Sequence, residues 1–312
     1  MIPIIDITPL VSRDAKQEGV VNEIRDACET VGFFYVIGHG ISLDIQTKIF
    51  STAREFFALP EHVKHGVGVA KSRCFRGYVP FALTGPNVPK RMLEAFQMML
   101  DLGPDDPDVA VGNIMYGSNQ WPEDAPRMRA ILEAYYKEME ALSNHLLSAF
   151  ARALGEDSEF FNTYYQKPLT QLRLLHYPYV ESDNLEDQQG VEAHTDTGAF
   201  TILMQDDISG LEIKARDGSW LAASPIKDAL VINVGDMMQW WTAYRFISTP
   251  HRVTNRSGRS RYSVPFFVNP DRSAVITRLG ADPDDAGARF EVGAHVEKAY
   301  VDAWPREPTG VG

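Results

Sequence analysis

The chain has 312 residues, 44% of them hydrophobic and 23% charged, an ordinary globular composition that excludes a disordered protein, a collagen-like repeat and a coiled-coil rod. Acidic side chains outnumber basic ones 42 to 30, giving a net charge of −12. So acidic a chain lacks a broad footprint for phosphate backbones or anionic lipid, and neither nucleic acid nor membrane is expected as a partner.

The two cysteines, Cys28 and Cys74, have no Cys-x-x-Cys spacing, which argues against a disulfide scaffold or a thiolate zinc site. The first ten residues lack the basic start and long apolar stretch of a signal peptide. No run of about 18 apolar residues occurs anywhere, so the expectation is a soluble protein of the reducing cytoplasm.

In chain order, residues 2–6 predict a short strand, residues 17–30 an amphipathic helix, and the dense apolar run 32–37 a buried strand. Ser42 is placed to cap a helix that runs to about Ala58 and is stopped by Pro60. Breakers Gly77, Pro80, Gly85 and Pro86 mark a loop that lasts to about Pro89, after which 93–100 reads as a strand. A Gly-, Pro- and Asp-rich connection spans 102–122. Met128, Ile131, Leu132, Tyr135, Met139, Leu142, Leu146 and Phe150 then recur at spacings of three and four, with Gly155 where a helix C′ residue belongs.

Beyond Lys167 the pattern turns to short strands at 170–178, 198–205, 211–214, 229–234, 249–254 and 261–268, the spacing of a β-sandwich or barrel. The tail, 271–312, is rich in Asp and Ala and carries a short helix near 294–303. The outline is a mixed α/β N-terminal region (1–122), a long packing helix and connection (123–166), a β core (167–270) and a C-terminal extension (271–312). Together they are expected to form one cooperative unit, with the helical half wrapped around the β core.

The chemistry concentrates in the β-rich half. In His194-Thr195-Asp196 the two outer side chains share one strand face, with Cα atoms about 6–7 Å apart, so imidazole and carboxylate reach one divalent cation. His251 stands at the start of a later strand. Two histidines and one carboxylate on one face of iron leave three positions open, the facial triad of non-haem Fe(II) oxygenases. Ten residues on, Arg261 and Ser263 share a strand face, and a guanidinium beside a hydroxyl suits a carboxylate.

With these motifs assembled, the chain resembles the isopenicillin N synthase-like family of the 2-oxoglutarate/Fe(II)-dependent oxygenase superfamily, over nearly its whole length. The resemblance rests on eight features in order. They are Ile2-Pro3-Ile4-Ile5-Asp6-Ile7, Ala27-Cys28 through Gly32-Phe33-Phe34 to His39-Gly40, Arg76-Gly77-Tyr78, His176-Tyr177-Pro178, His194-x-Asp196, Val234-Gly235-Asp236, Thr249-Pro250-His251-Arg252-Val253 and Arg261-x-Ser263. It implies a mainly β fold: a double-stranded β-helix (jelly-roll) core with flanking helices.

It also implies that His194, Asp196 and His251 bind Fe(II), and that Arg261 and Ser263 hold the distal carboxylate of 2-oxoglutarate with a hydrogen bond from Tyr177. O2 is the co-reactant. A C–H bond of a small-molecule substrate is oxidised, most commonly hydroxylated, with release of succinate and CO2. Leu175 stands where the family often has Asn, which removes one polar contact to the cosubstrate and no metal ligand.

Three alternatives stay open on the residues. One is an oxidase resembling isopenicillin N synthase itself, which dispenses with 2-oxoglutarate. The others are an ethylene/succinate-forming enzyme and a non-catalytic jelly roll that binds a small acid. Strand alternation places Arg173 on the same face as Tyr177, either in an internal salt bridge or receiving a substrate carboxylate. Arg76 and Tyr78 are further candidate substrate contacts, and Phe81, Leu83 and Phe96 candidate apolar walls. Specificity is expected to reside in residues 73–100 and the tail. His39, His145, His62 and His65 read as structural or exposed, and His176 points away from the Tyr177 face.

Overall fold

The computed structural model describes residues 1–81, 92–179, 189–282 and 284–304. The first half runs β1 (Ile4–Asp6), α1 (Thr8–Ser12), α2 (Gln17–Thr30), β2 (Phe33–Ile37), α3 (Leu43–Phe57), α4 (Glu61–Gly66), β3 (Gly77–Val79), β4 (Glu94–Met99), α5 (Pro107–Ala110) and α6 (Met128–Leu154). The second half runs β5 (Gln171–Tyr177), β6 (Gln189–His194), β7 (Phe200–Gln205), β8 (Leu211–Lys214), β9 (Trp220–Ala222), β10 (Leu230–Val234), α7 (Asp236–Trp241), β11 (His251–Thr254), β12 (Arg261–Val268), β13 (Val275–Thr277), β14 (Arg289–Glu291) and α8 (Val292–Ala303).

Local chemistry sets the helix ends. The Ser42 hydroxyl accepts from the Ile45 amide at 3.3 Å and starts α3. Gly155 adopts φ +85°, a left-handed conformation open to glycine, and ends α6. The predicted stripe of α6 is buried except for the half-buried Ile131: Phe150 meets Phe200 of β7 edge-on at 5.2 Å, and Tyr136 meets Phe266 of β12 at 5.2 Å. This long helix therefore backs the outer face of the main sheet.

That sheet has eight strands in the order β1-β2-β10-β7-β12-β5-β4-β3, and a second sheet has four in the order β6-β11-β8-β9. The two form the jelly roll around a cavity of about 700 Å³. The division expected between a helical first half and a β second half is not seen in the main sheet. β1 and β2 extend one side of it and β3 and β4 the other, because the apolar runs at 33–37 and 94–99 find unpaired edges at β10 and β5.

Period-two alternation decides what meets the cavity. On β5 Gln171, Arg173, Leu175 and Tyr177 line it, and on β12 Arg261, Ser263, Pro265 and Phe267. The intervening residues face the helices. Just before β2, Gly32 has φ +69°, and a Cβ there would lie 1.9 Å from the Ile247 carbonyl oxygen, so only glycine fits the turn. No helix among the described residues is long and apolar enough to cross a membrane.

Candidate active site

β6 and β11 are antiparallel neighbours with His194 directly opposite His251. The ring centroids lie 4.3 Å apart. Each ring is turned by its own backbone. His194 Nδ1 donates to the Glu192 carbonyl at 2.8 Å, and His251 Nδ1 to the Thr249 carbonyl at 3.2 Å. A carbonyl only accepts, so Nδ1 is the donor in both rings and both Nε2 atoms are turned toward Asp196. The two Nε2 atoms lie 3.9 and 3.8 Å from one oxygen, Oδ1 of Asp196. One potential donor atom from each of the three residues falls within 4.8 Å of the others. Phe33 packs edge-on against His251 with centroids 5.3 Å apart.

The other Asp196 oxygen is engaged elsewhere. Oδ2 accepts from Thr201 Oγ1 at 2.6 Å and from Asn233 Nδ2 at 2.8 Å. Burial works to raise the Asp196 carboxyl, but the His251 and His194 imidazoles and these two hydrogen bonds outweigh it and hold the group below its ordinary value. The Asp196 loop is also held from below: the Asp236 amide donates to the Asp196 carbonyl at 2.8 Å, and Thr195 Oγ1 to the Asp236 carboxylate at 2.8 Å. A Cβ on Gly235 would sit 2.2 Å from the Gly198 carbonyl oxygen, which explains the Gly-Asp step after β10.

The second cluster lies on the main sheet. Arg261 is fully buried and stands opposite Tyr177 across β12 and β5, its guanidinium carbon 4.9 Å from the tyrosine ring centroid. Nε donates to the Ile208 carbonyl at 3.2 Å and Nη2 to Gln205 Oε1 at 2.8 Å. Nη1 has no hydrogen-bond partner among the described residues. A buried cation with an unused donor in a cavity wall calls for an anion. Glycine makes the room: a Cβ on Gly210 would come 3.2 Å from Arg261 Nε, and one on Gly190 2.6 Å from the Tyr177 ring. Ser263 lines the cavity two residues along the same face.

Arg173 is buried in the cavity wall with its guanidinium 5.6 Å from the Trp304 ring centroid. Arg76 and Tyr78 require correction, because neither lines the cavity. The fully buried Arg76 guanidinium is taken up by the Cys74 and Met115 carbonyls and the Met99 sulfur. The Tyr78 hydroxyl donates to Glu94 at 2.7 Å, in a cluster with Lys64. Phe96 packs against Phe56 at 5.0 Å, Phe81 is exposed, and Leu83 lies outside the described residues. Of residues 73–100, only Leu93 among the described residues lines the cavity. The tail lines the cavity through α8 and the residue after it, at His295, Val296, Tyr300 and Trp304.

Sequence reading missed Thr201 and Asn233. A signal existed for Asn233, the one polar residue in the buried run Leu230–Val234, since a buried amide needs a partner. His176 Nδ1 lies in hydrogen-bond contact with Glu94 at 2.8 Å and the ring stacks on Tyr262, on the far face from the cavity as expected.

Comparison with known proteins gives the family. Residues 2–124 match the family model described as non-haem dioxygenase in morphine synthesis N-terminal, and residues 168–270 match the 2OG-Fe(II) oxygenase superfamily. The chain is similar to a 2-oxoglutarate-Fe(II) type oxidoreductase, hxnY, of Emericella nidulans, with 34% identity over 279 residues, 86% of this chain and 80% of that one. It is similar also to the 2-oxoglutarate-dependent dioxygenase citB of Monascus ruber, with 37% identity over 304 residues, 91% of this chain and 90% of that one. The crystal structure of a full-length Neurospora crassa protein in complex with alpha-KG superposes with a TM-score of 0.83 at 26% identity, covering 96% of each chain. Other crystals of that Neurospora protein contain thymine or 5-formyluracil beside alpha-KG.

The chain therefore belongs to the 2OG-Fe(II) oxygenase superfamily. It is an iron- and 2-oxoglutarate-dependent dioxygenase acting on a small molecule.

Proposed function

We propose that His194, Asp196 and His251 hold the Fe(II), that Arg261, Ser263 and Tyr177 hold the distal carboxylate of 2-oxoglutarate, and that Arg173 receives a carboxylate on a primary substrate whose C–H bond is hydroxylated. The observation that carries this reading is the convergence of two Nε2 atoms on a single Asp196 oxygen, in one cavity with the unpartnered Nη1 of Arg261. The donor set fits the metal: two imidazoles, one carboxylate and no thiolate suit a ferrous site with open positions.

Bound iron supplies the activation of O2, coupled to oxidative decarboxylation of 2-oxoglutarate to succinate and CO2. The chain supplies the rest. The backbone carbonyls of Glu192 and Thr249 keep both imidazoles in the ligating tautomer. Arg261, fixed by Gln205 and Ile208, neutralises an anion without having to reorganise. Leu175, Leu203, Val253 and Phe267 exclude water from the cavity, and Arg173 orients the substrate by its charge.

The test is His194→Ala in a metabolite screen that scores stimulated succinate release, with ethylene followed in parallel. The variant is expected to lose substrate-dependent succinate formation and Fe(II) binding in an anaerobic titration. Retained activity would refute the metal assignment.

A further inference from the structure

We infer that Thr201 and Asn233 are positioning residues that confine Asp196 to one-oxygen coordination, and so keep a place on the metal for O2. The inference rests on the assignment of Asp196 as an iron ligand. A carboxylate can bind a cation through one oxygen or both. Asp196 presents Oδ1 to the two histidines while Oδ2 takes two donors, at 2.6 and 2.8 Å, from neighbouring strands. Those donors face each other in register, Asn233 of β10 beside Thr201 of β7, and both are buried. Their positions are thus set by the sheet and not by the loop that carries Asp196.

The consequence follows from counting positions. Two histidines and one carboxylate oxygen would leave three places on a bound Fe(II), enough for a two-atom keto acid chelate and O2. If Oδ2 also bound, the chelate would fill the ion and O2 would have no place. Two hydrogen bonds make that rotation costly, since it would leave a buried hydroxyl and a buried amide unsatisfied.

Thr201→Val and Asn233→Leu remove the donors with little change of shape, and Thr201→Ser restores the hydroxyl. Each protein is loaded anaerobically with Fe(II) and 2-oxoglutarate, and both dissociation constants are measured. Nitric oxide is then added as a diatomic stand-in for O2, and its ferrous adduct is counted by electron paramagnetic resonance. In the double variant both dissociation constants are expected to stay near the wild-type values, while the nitric oxide signal and O2 uptake fall about tenfold or more, the usual scale of an outer-shell change. Thr201→Ser is expected to behave as wild type.

An unchanged nitric oxide signal in the double variant overturns the inference. So does a loss of Fe(II) affinity that accounts for the whole effect, because the two residues would then merely place Asp196. If the double variant does not fold, the Thr201→Val single variant gives the same reading. Wild-type protein that binds Fe(II) no better than His194→Ala would instead sink the metal assignment itself.

Discussion

Replacing Arg261 with glutamine removes a positive charge from the cavity wall and leaves a neutral amide. A hydrogen bond to a charged group contributes about 1.5–3 kcal/mol, and truncating one partner of a buried charge pair costs about 2–5 kcal/mol. Arg261 is fully buried, so solvent does not screen its charge, and the upper part of the first range applies. At about 1.4 kcal/mol per decade, the dissociation constant for 2-oxoglutarate should rise about a hundredfold. Arg261→Lys keeps the charge but loses the fork that Gln205 and Ile208 grip, and about tenfold weakening is expected. Calorimetric titration of 2-oxoglutarate into anaerobic metal-loaded protein measures both, with urea unfolding to show that each variant is folded. A folded Arg261→Gln protein that binds 2-oxoglutarate within about threefold of wild type would refute the assignment of this guanidinium to the cosubstrate.

Glu94 is bonded to His176, Tyr78 and Lys64, which outweigh its burial and hold its carboxyl below the ordinary 4.5. A depressed folded value means stability that is present in full above about 4.5 and lost as pH falls through the folded value. Glu94→Gln should therefore flatten the acid limb of stability measured by urea unfolding, and cost about 1–3 kcal/mol at neutral pH, because a buried acceptor is weakened while Lys64 keeps Glu61 at 2.6 Å; parallel acid limbs would contradict this. Gly32→Ala combines a left-handed residue with a Cβ pressed on the Ile247 carbonyl, and a loss of at least about 2 kcal/mol in urea unfolding is expected. An unchanged midpoint would show that this turn moves freely. Arg173→Ala should raise the substrate KM about tenfold or more with kcat little altered. Lowered thermal stability with an unchanged KM would assign Arg173 to packing on Trp304.

Strand alternation carried far in this chain, because it is a property of single strands. It placed Arg173 with Tyr177 and Arg261 with Ser263 on shared faces, and all four line the cavity. Helix ends were equally legible, since Ser42 and Gly155 act within one turn of themselves. What stayed hidden depends on pairing between distant segments. Nothing near Arg76 announces that the Met115 carbonyl will reach its guanidinium, nor anything near Tyr78 that Glu94 will take its hydroxyl. An arginine in a glycine-bearing loop reads as a candidate substrate contact until those acceptors are supplied. The opposition of His194 and His251 likewise requires the β6–β11 register, which no local pattern specifies. Family resemblance, not spacing, bridged that gap.

α8 and its end close one wall of the cavity from outside the two sheets, placing Tyr300 and Trp304 there, while every candidate metal and cosubstrate group stands on a strand or the short turn after one. The candidate metal and cosubstrate groups and this wall of the cavity are thus built from separate stretches of chain. Changes along α8 can therefore reshape the cavity while leaving the strand-borne groups untouched, so remodelling of that wall need not trade against the chemistry.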